Sequence, residues 1–415
     1  MKNRVIIDKI HITKNRIIYG YQVEGDWVEA FNLDQNFFIE YNVDISDLPQ
    51  AVAIVPLLAN LLPMSWVYDA EIVCDSCDKA FYESIPHIKQ GYINMYPSVQ
   101  FGGKLTCDRI EETHAPGTGK SGAFFSGGVD AFHTLISHEK EKPALITLWG
   151  ADVKLDDTEG WGKVSSHIEG VAESFGLDFI KVKSSFRLFL KEQVLDKKVE
   201  KSKDMWWHGF HHGIGIICHA APICYMLGIK TLYIASSFHI SQKGQYTCAS
   251  DPTIDNFVKF VDADVVHDGY EFTRQNKIED ITQFSKRTGK KIQLRVCWVA
   301  PGGTNCCSCE KCFRTIMGIY AQGCNPHDFG FDYTEKDLKN CVKKIRCSGD
   351  KLRGELRYGP IQTAMRKNIR KKDLPKSLRW FYTISPAKIW EIPLPVIFLK
   401  KVKNKMKALM QNAKK

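Results

Sequence analysis

An apolar strand that runs straight into a two-glycine turn, and from there into a helix, limits the folds open to this chain more than any other feature. The stretch is Phe124-Phe125-Ser126-Gly127-Gly128-Val129-Asp130, and the helical pattern continues from Ala131 to His138. Glycines let backbone amides approach a polyanion, and the helix that follows aims its positive end at the same place. Ser126 adds a hydroxyl donor. Asp130, in the first helical turn, is placed to orient the loop or to hold magnesium. The bland alternative is an ordinary strand–helix connection with no ligand.

The same grammar extends along the chain. Ala123 to Phe125, Ala144 to Leu148, Phe179 to Val182 and Thr231 to Ala235 read as buried strands, with helices over Val164 to Phe175 and Gly209 to Leu227. Strands alternating with helices predict an α/β fold: a parallel sheet with helices on both faces. Trp149-Gly150 closes the second strand, where ligands gather in open α/β sheets. Ser236-Ser237 holds the equivalent place on a later strand. Gly117-Thr118-Gly119-Lys120-Ser121 imitates the end of a P-loop. That motif needs a glycine where His114 stands, and here a strand follows instead of a helix, so it reads as a linker.

Residues 1–115 read as a separate small α+β domain. Val5-Ile6-Ile7, Ile17 to Gly20 and Trp27 to Phe31 are short strands of a meander, and Ala51 to Leu62 is a buried helix closed by Pro63.

The chain carries 14 cysteines. No secretory signal and no apolar run of about 18 residues is evident, so a cytoplasmic protein is expected, with peripheral membrane attachment as the variant. Metal ligation then fits clustered thiols better than disulfides do. Cys297-x8-Cys306-x2-Cys309-x2-Cys312 is such a cluster. Thiolates at this spacing converge on one tetrahedral zinc, with an iron–sulfur cluster as the rival. Lys311 and Arg314 lie close enough to offset its charge. Cys307 reads as a spare thiol, and Cys74-x2-Cys77 lacks a second pair.

Ser126-Gly127-Gly128-Val129-Asp130 resembles the signature of the PP-loop ATP pyrophosphatases, with Ala131 where that family usually carries serine. Turn and cysteines together, in this order, resemble the 7-cyano-7-deazaguanine synthases, and Cys309 to Thr315 is more similar to their divergent paralogues. Phe272-Thr273-Arg274-Gln275-Asn276-Lys277-Ile278 is similar to an element preceding the zinc cysteines in those enzymes, and Asp251 to Asp255 to their acidic substrate-side loop. The resemblance covers about residues 121–325. It implies ATP, magnesium and zinc, with ATP cleaved to AMP and pyrophosphate as a carboxylate is adenylated and passed to a nitrogen donor. It further implies phosphate contacts from Ser126, Gly127, Gly128, Val129, Asp130 and Ala131, and an adenine bordered by Trp149 and Gly150. Arg274 and Lys277 become catalytic candidates beside Asp130; on spacing alone both also suit a solvated surface.

His208, His211 and His212 crowd the start of a helix and read as core or pocket histidines. From Lys339 onward 22 Lys/Arg face 4 Asp/Glu, in a chain whose overall charge is +10. Residues 350–415 therefore read as a basic, aromatic tail for an acidic partner, RNA or a membrane surface. The expected partners are a small-molecule carboxylate, a nitrogen donor and, in a homodimer, a second copy of the chain. A tRNA-modifying PP-loop enzyme and a non-catalytic nucleotide-binding adaptor are the alternative functions.

Overall fold

The computed structural model describes residues 3–117, 119–297, 303–346 and 351–386. Two compact units emerge: residues 3–272 with a short piece near 303, and the remainder from Thr273 onward.

The first unit opens with β1 (Arg4–Ile12), β2 (Arg16–Glu24), β3 (Phe38–Tyr41), α1 (Gln50–Ala53), α2 (Val55–Tyr68), β4 (Glu71–Asp78), α3 (Lys79–Met95) and β5 (Lys104–Glu111). It continues with β6 (Lys120–Phe124), α4 (Val129–Ser137), β7 (Ala144–Trp149), α5 (Thr158–Phe175), β8 (Phe179–Ser184), α6 (Glu192–Lys198), α7 (Ile214–Ile217), α8 (Ala221–Leu227), β9 (Ile229–Ala235), α9 (Pro252–Asp255), β10 (Lys259–Phe260) and β11 (Ala263–Asp268). All eleven strands form one sheet in the order β10-β11-β9-β6-β7-β8-β3-β2-β1-β4-β5. From β11 to β8 the neighbours are parallel, as the alternating pattern required. The α/β expectation with a largely parallel sheet therefore holds, inside a mixed sheet.

Residues 1–115 do not stand apart as the expected accessory domain. β3 pairs antiparallel with β8, Ile39 opposite Ser184, so the early strands extend the later sheet. The physical reason is edge satisfaction. A β8 left as an outer strand would expose unpaired amides and carbonyls, and β3 covers them. Ser185 Oγ accepts from Phe38 N at 2.9 Å and donates to Asn36 O at 2.8 Å, locking the junction.

Three local expectations also change. Trp27 to Phe31 is no strand: Asp26–Ala30 is a 3-10 turn, because the buried Trp27 indole donates to Glu24 O at 3.0 Å and Arg4 O at 3.3 Å. Pro63 does not close its helix. α2 runs on to Tyr68 and stops at Asp69, whose φ of 49° is left-handed. All fourteen residues of α2 are buried. A helix apolar all round belongs in the core, and burial on that scale offsets the roughly 3 kcal/mol of an internal proline. Finally, the long helix expected from Gly209 is broken into a π turn (Trp207–His211), α7, a 3-10 turn and α8.

The second unit contains α10 (Arg274–Thr288), α11 (Glu310–Tyr320), α12 (Glu335–Arg346) and α13 (Lys351–Asn368). Where a tail was expected, folded structure continues to residue 386. Tyr358, Ile361, Met365, Leu378 and Phe381 are buried, Arg366 Nε donates to Tyr382 O at 2.9 Å, and Gln362 donates to the carbonyls of Phe381 and Ile384. Trp390, Ile397 to Leu399 and Lys400 to Lys415 lie outside the described residues. No helix among the described residues is long and apolar enough to cross a membrane.

Candidate functional site

The sheet order places the glycine turn. From β6 the chain moves outward to β7 and β8; it then returns to the other side of β6 for β9 and β11. Connections leaving β6 and β9 therefore diverge. In open α/β sheets that divergence opens a crevice beyond the carboxyl ends of the strands, where ligands bind. Ser126-Gly127-Gly128 occupies this point of the fold.

The turn has the backbone its sequence called for. Gly127 is left-handed (φ 75°), a conformation an L side chain resists by about 1–2 kcal/mol. Gly128 is the N-cap of α4 in extended conformation and offers no side-chain cap. Ser126 is exposed, Asp130 is half-buried in the first turn, and Val129 and Ala131 point inward. A serine in place of Ala131, 5% exposed, would have to bury its hydroxyl against the sheet. The base of the turn is fixed by Phe125 N donating to Ile146 O (2.9 Å) and by Thr147 Oγ1 donating to Phe125 O (2.6 Å). Farther along α4, Thr134 Oγ1 donates to Asp268 Oδ2 at 2.6 Å, and His138 Nε2 lies 3.1 Å from Asp268 Oδ1, tying the helix to the end of β11. Burial opposes protonation of His138, but Asp268 and Glu141 outweigh it and raise its pKa.

Of the Gly117 to Ser121 stretch read as a linker, Lys120 and Ser121 are instead the first residues of β6, and Thr118 lies outside the described residues.

Trp149 and Gly150 sit at the end of β7. Trp149 stacks on Trp161 at 5.2 Å, has Lys183 Nζ over its ring at 4.9 Å from the centroid, and donates its indole N–H to Lys154 O. Its ring is thus engaged in packing. Gly150 rims a cavity of about 880 Å³ lined also by Lys154, Asp156, Arg187, Lys191 and Glu192. Arg187 is clamped by Glu192 at 2.6 and 2.8 Å and lies 4.0 Å over Trp207. Gly150 has φ 112°, and a Cβ there would stand 2.0 Å from Ser184 O. Gly150→Ala is expected to cost about 2–4 kcal/mol through backbone strain and overpacking. A urea midpoint that does not move would refute this close approach.

The four cysteines meet, wholly within the second unit. Their sulfurs all lie within 4.8 Å of one another. Cys297 Sγ is 3.9 Å from Cys309 Sγ, and Cys306 Sγ 3.9 Å from Cys312 Sγ. A disulfide would need about 2.05 Å. Four bonds of about 2.3 Å at tetrahedral angles place sulfurs about 3.8 Å apart, so the group fits a metal ion such as zinc. The loop builds this geometry from its own amides. Cys306 Sγ accepts from Ser308 N (3.4 Å) and Cys309 N (3.3 Å), and Cys309 caps α11 by accepting from Cys312 N at 3.4 Å. Asn305 donates to Leu294 O and Gly330 O and accepts from Val296 N, which carries Cys297 to the cluster. The bond with Cys312 chiefly brings the Cys309 thiol down to about 5. Burial opposes the same trend at Cys306, where the Ser308 hydrogen bonds prevail and lower it. Cys307 stays out of the group; it is buried, with its thiol pushed up to about 12. Arg314 lies 3.4 Å from Glu310.

Arg274 and Lys277 belong to the second unit, in the first turn of α10. Arg274 Nη2 donates to Thr315 Oγ1 at 3.2 Å. Lys277 is 2% exposed and so is no solvated surface charge. In the acidic loop Asp251 caps α9 through Thr253, and Asp255 is buried against His267. His211 is likewise a core residue, bonded to the buried Asn60. His208 and His212 instead face Cys248, with Asp204 behind His208. The sequence reading overlooked Asp204 and Cys248. The signal available was Asp204-x3-His208-x3-His212, three polar groups at helical spacing.

No family model, no curated protein and no solved structure matches this chain.

Proposed function

We propose that the first unit is an adenylating catalyst that cleaves ATP to AMP and pyrophosphate while activating a carboxylate. The observation that carries this reading is the Gly127-Gly128 turn at the point where the connections from β6 and β9 diverge. The exposed Ser126 hydroxyl and the first amides of α4 face a polyanion there, and nine residues of helix stand behind them. Asp130 is the residue suited to a magnesium ion bridging the phosphates. The cavity beside Gly150 has room for an organic group next to the loop's strand, with Lys154 and Lys191 suited to a carboxylate. ATP, when bound, supplies the leaving group that turns a carboxylate into an acyl donor. The chain's own part is to hold phosphates, neutralise charge and exclude water. The reading rests on first-unit residues alone. In the second unit we assign zinc to the four cysteines, as a closed structural site.

Product analysis tests it. Protein and ATP-magnesium are incubated with small-molecule extract, beside Asp130→Ala. AMP and pyrophosphate that depend on the extract and fall at least about 100-fold in the variant support the reading. ATP bound without turnover points to an adaptor, and ADP with phosphate removes the reading.

A further inference from the structure

Asp204, His208 and His212 recur at four-residue intervals around the π turn of Trp207–His211. This spacing brings both imidazoles to one side, while His211 turns to the core. Asp204 is held from three directions. Tyr96 OH donates to Oδ2 at 2.9 Å, Thr247 Oγ1 donates to Oδ2 at 2.6 Å, and His208 Nδ1 lies 3.0 Å from Oδ1. Cys248 follows Thr247 directly. Ala249 N donates to His208 O at 2.8 Å, and a Cβ on Gly213 would stand 2.2 Å from Ala249 O. Residues on both sides of Cys248 are thereby pinned to the segment that carries the histidines, which sets the thiol within electrostatic reach of His208 and His212. Cys248 is 7% exposed, whereas the His208 side chain is 43% exposed. Phe238, just past the end of β9, lies edge-on to His208. The group therefore borders the same carboxyl-end loops as the glycine turn.

Electrostatics agree with this geometry. Burial alone would raise the Cys248 thiol, but the two histidines outweigh it and bring it to about 6. Asp204 first, then Cys248, raises His208 to about 10. Burial works against Asp204, yet His208 and Thr247 hold it at about 2. Tyr92 and Tyr96, within electrostatic reach of the sulfur, have pKa values raised chiefly by burial, so both stay neutral. The result is a thiolate beside an imidazolium oriented by a carboxylate, the arrangement of an activated nucleophile. A metal is the poorer reading: among the described residues only the four-cysteine group converges as a metal cluster.

We propose that Cys248 is a nucleophile that accepts an acyl group as a thioester, with His208 as its proton-handling partner and Asp204 positioning His208. That the donor is an acyl-adenylate rests on the function proposed above; the nucleophile does not. The thiolate attacks the carbonyl carbon. A C–S bond forms, the bond from that carbon to the phosphate oxygen breaks, and AMP leaves with the electron pair. With the sulfur's charge gone, His208 releases its proton to water. An amine then attacks the thioester. A C–N bond forms, the C–S pair returns to sulfur, and His208 takes the amine proton, restoring the starting pair.

Iodoacetamide labelling of the full chain across about pH 5–9, followed at the Cys248 peptide, tests the thiolate. The rate should rise with a midpoint near 6 and then level, where an ordinary thiol rises through about 8.5. His208→Gln and Asp204→Asn should lower the rate at neutral pH by at least about ten-fold. Should either variant fail to fold, the wild-type profile alone decides, and a midpoint at or above about 8 overturns the proposal. p-Nitrophenyl acetate tests acyl transfer: an acetyl adduct on Cys248, released by hydroxylamine and missing in Cys248→Ser, is expected. Fast alkylation without that adduct overturns the acyl role. An adduct in a protein that never forms AMP keeps the nucleophile and removes the adenylate as its donor.

Discussion

Stripping the metal from the second unit is expected to unfold it. Cys309→Ser, or a strong chelator, should remove bound zinc and abolish the unit's cooperative transition. The four sulfurs come from a loop and the first turn of α11, and their separations, 3.9 Å for two pairs and within 4.8 Å for all, are hard to hold without a cation between them. Cys309 is the most exposed to this loss, because it is at once ligand, helix cap and acceptor for Cys312 N. The apparent binding energy of structural zinc in small domains is about 10–16 kcal/mol at neutral pH. That exceeds the whole stability of most domains, about 5–15 kcal/mol. Metal content per chain and thermal melting check it together. One zinc per chain in Cys309→Ser, or an unchanged melt after chelation, would show that these cysteines do not hold the unit together. Iron found in place of zinc would revise the ion and leave the geometry standing.

Asp255→Ala should be the costliest single change in the first unit outside its apolar core. Asp255 is fully buried, 2.8 Å from His267 Nδ1, and accepts from Ser250 Oγ at 2.7 Å. The pair joins α9 to β11, since His267 is a residue of that strand. Removing one partner leaves the other buried and uncompensated, at a cost of about 3–5 kcal/mol. The urea midpoint should fall accordingly with little change in slope. A small shift, with normal stability but altered substrate handling, would return this segment to the substrate-side role its resemblance implied.

These two sites were unequally legible. The four-cysteine group was read whole from Cys297, Cys306, Cys309 and Cys312, because the spacing of thiols within one loop is a local property. The glycine turn was read for the same reason: a strand, two glycines and a helix are contiguous. The tie between Asp255 and His267 was not legible, because His267 comes from another element and nothing local marks the pair. Trp27 to Phe31 misled in the opposite way. Its apolar pattern suited a strand, but the indole found carbonyls on Arg4 and Glu24 and drew the backbone into a turn.

Cys248 shows where local reading stops. Asp204 and Thr247 are 43 positions apart yet hydrogen-bonded, and Phe38 and Ser185 are joined across 147 positions. Such contacts exist only once the sheet order is set. The sequence by itself determined the alternation that makes an α/β unit, the two-glycine turn before α4 and the four-cysteine group. Tertiary structure alone decided that residues 1–115 extend the same sheet, that the chain up to residue 386 is folded, and that a buried thiol meets two histidines and a carboxylate. The physical reason is range. Spacing encodes what neighbours along the chain can do, whereas burial, strand pairing and charge compensation depend on which distant residues the fold brings together.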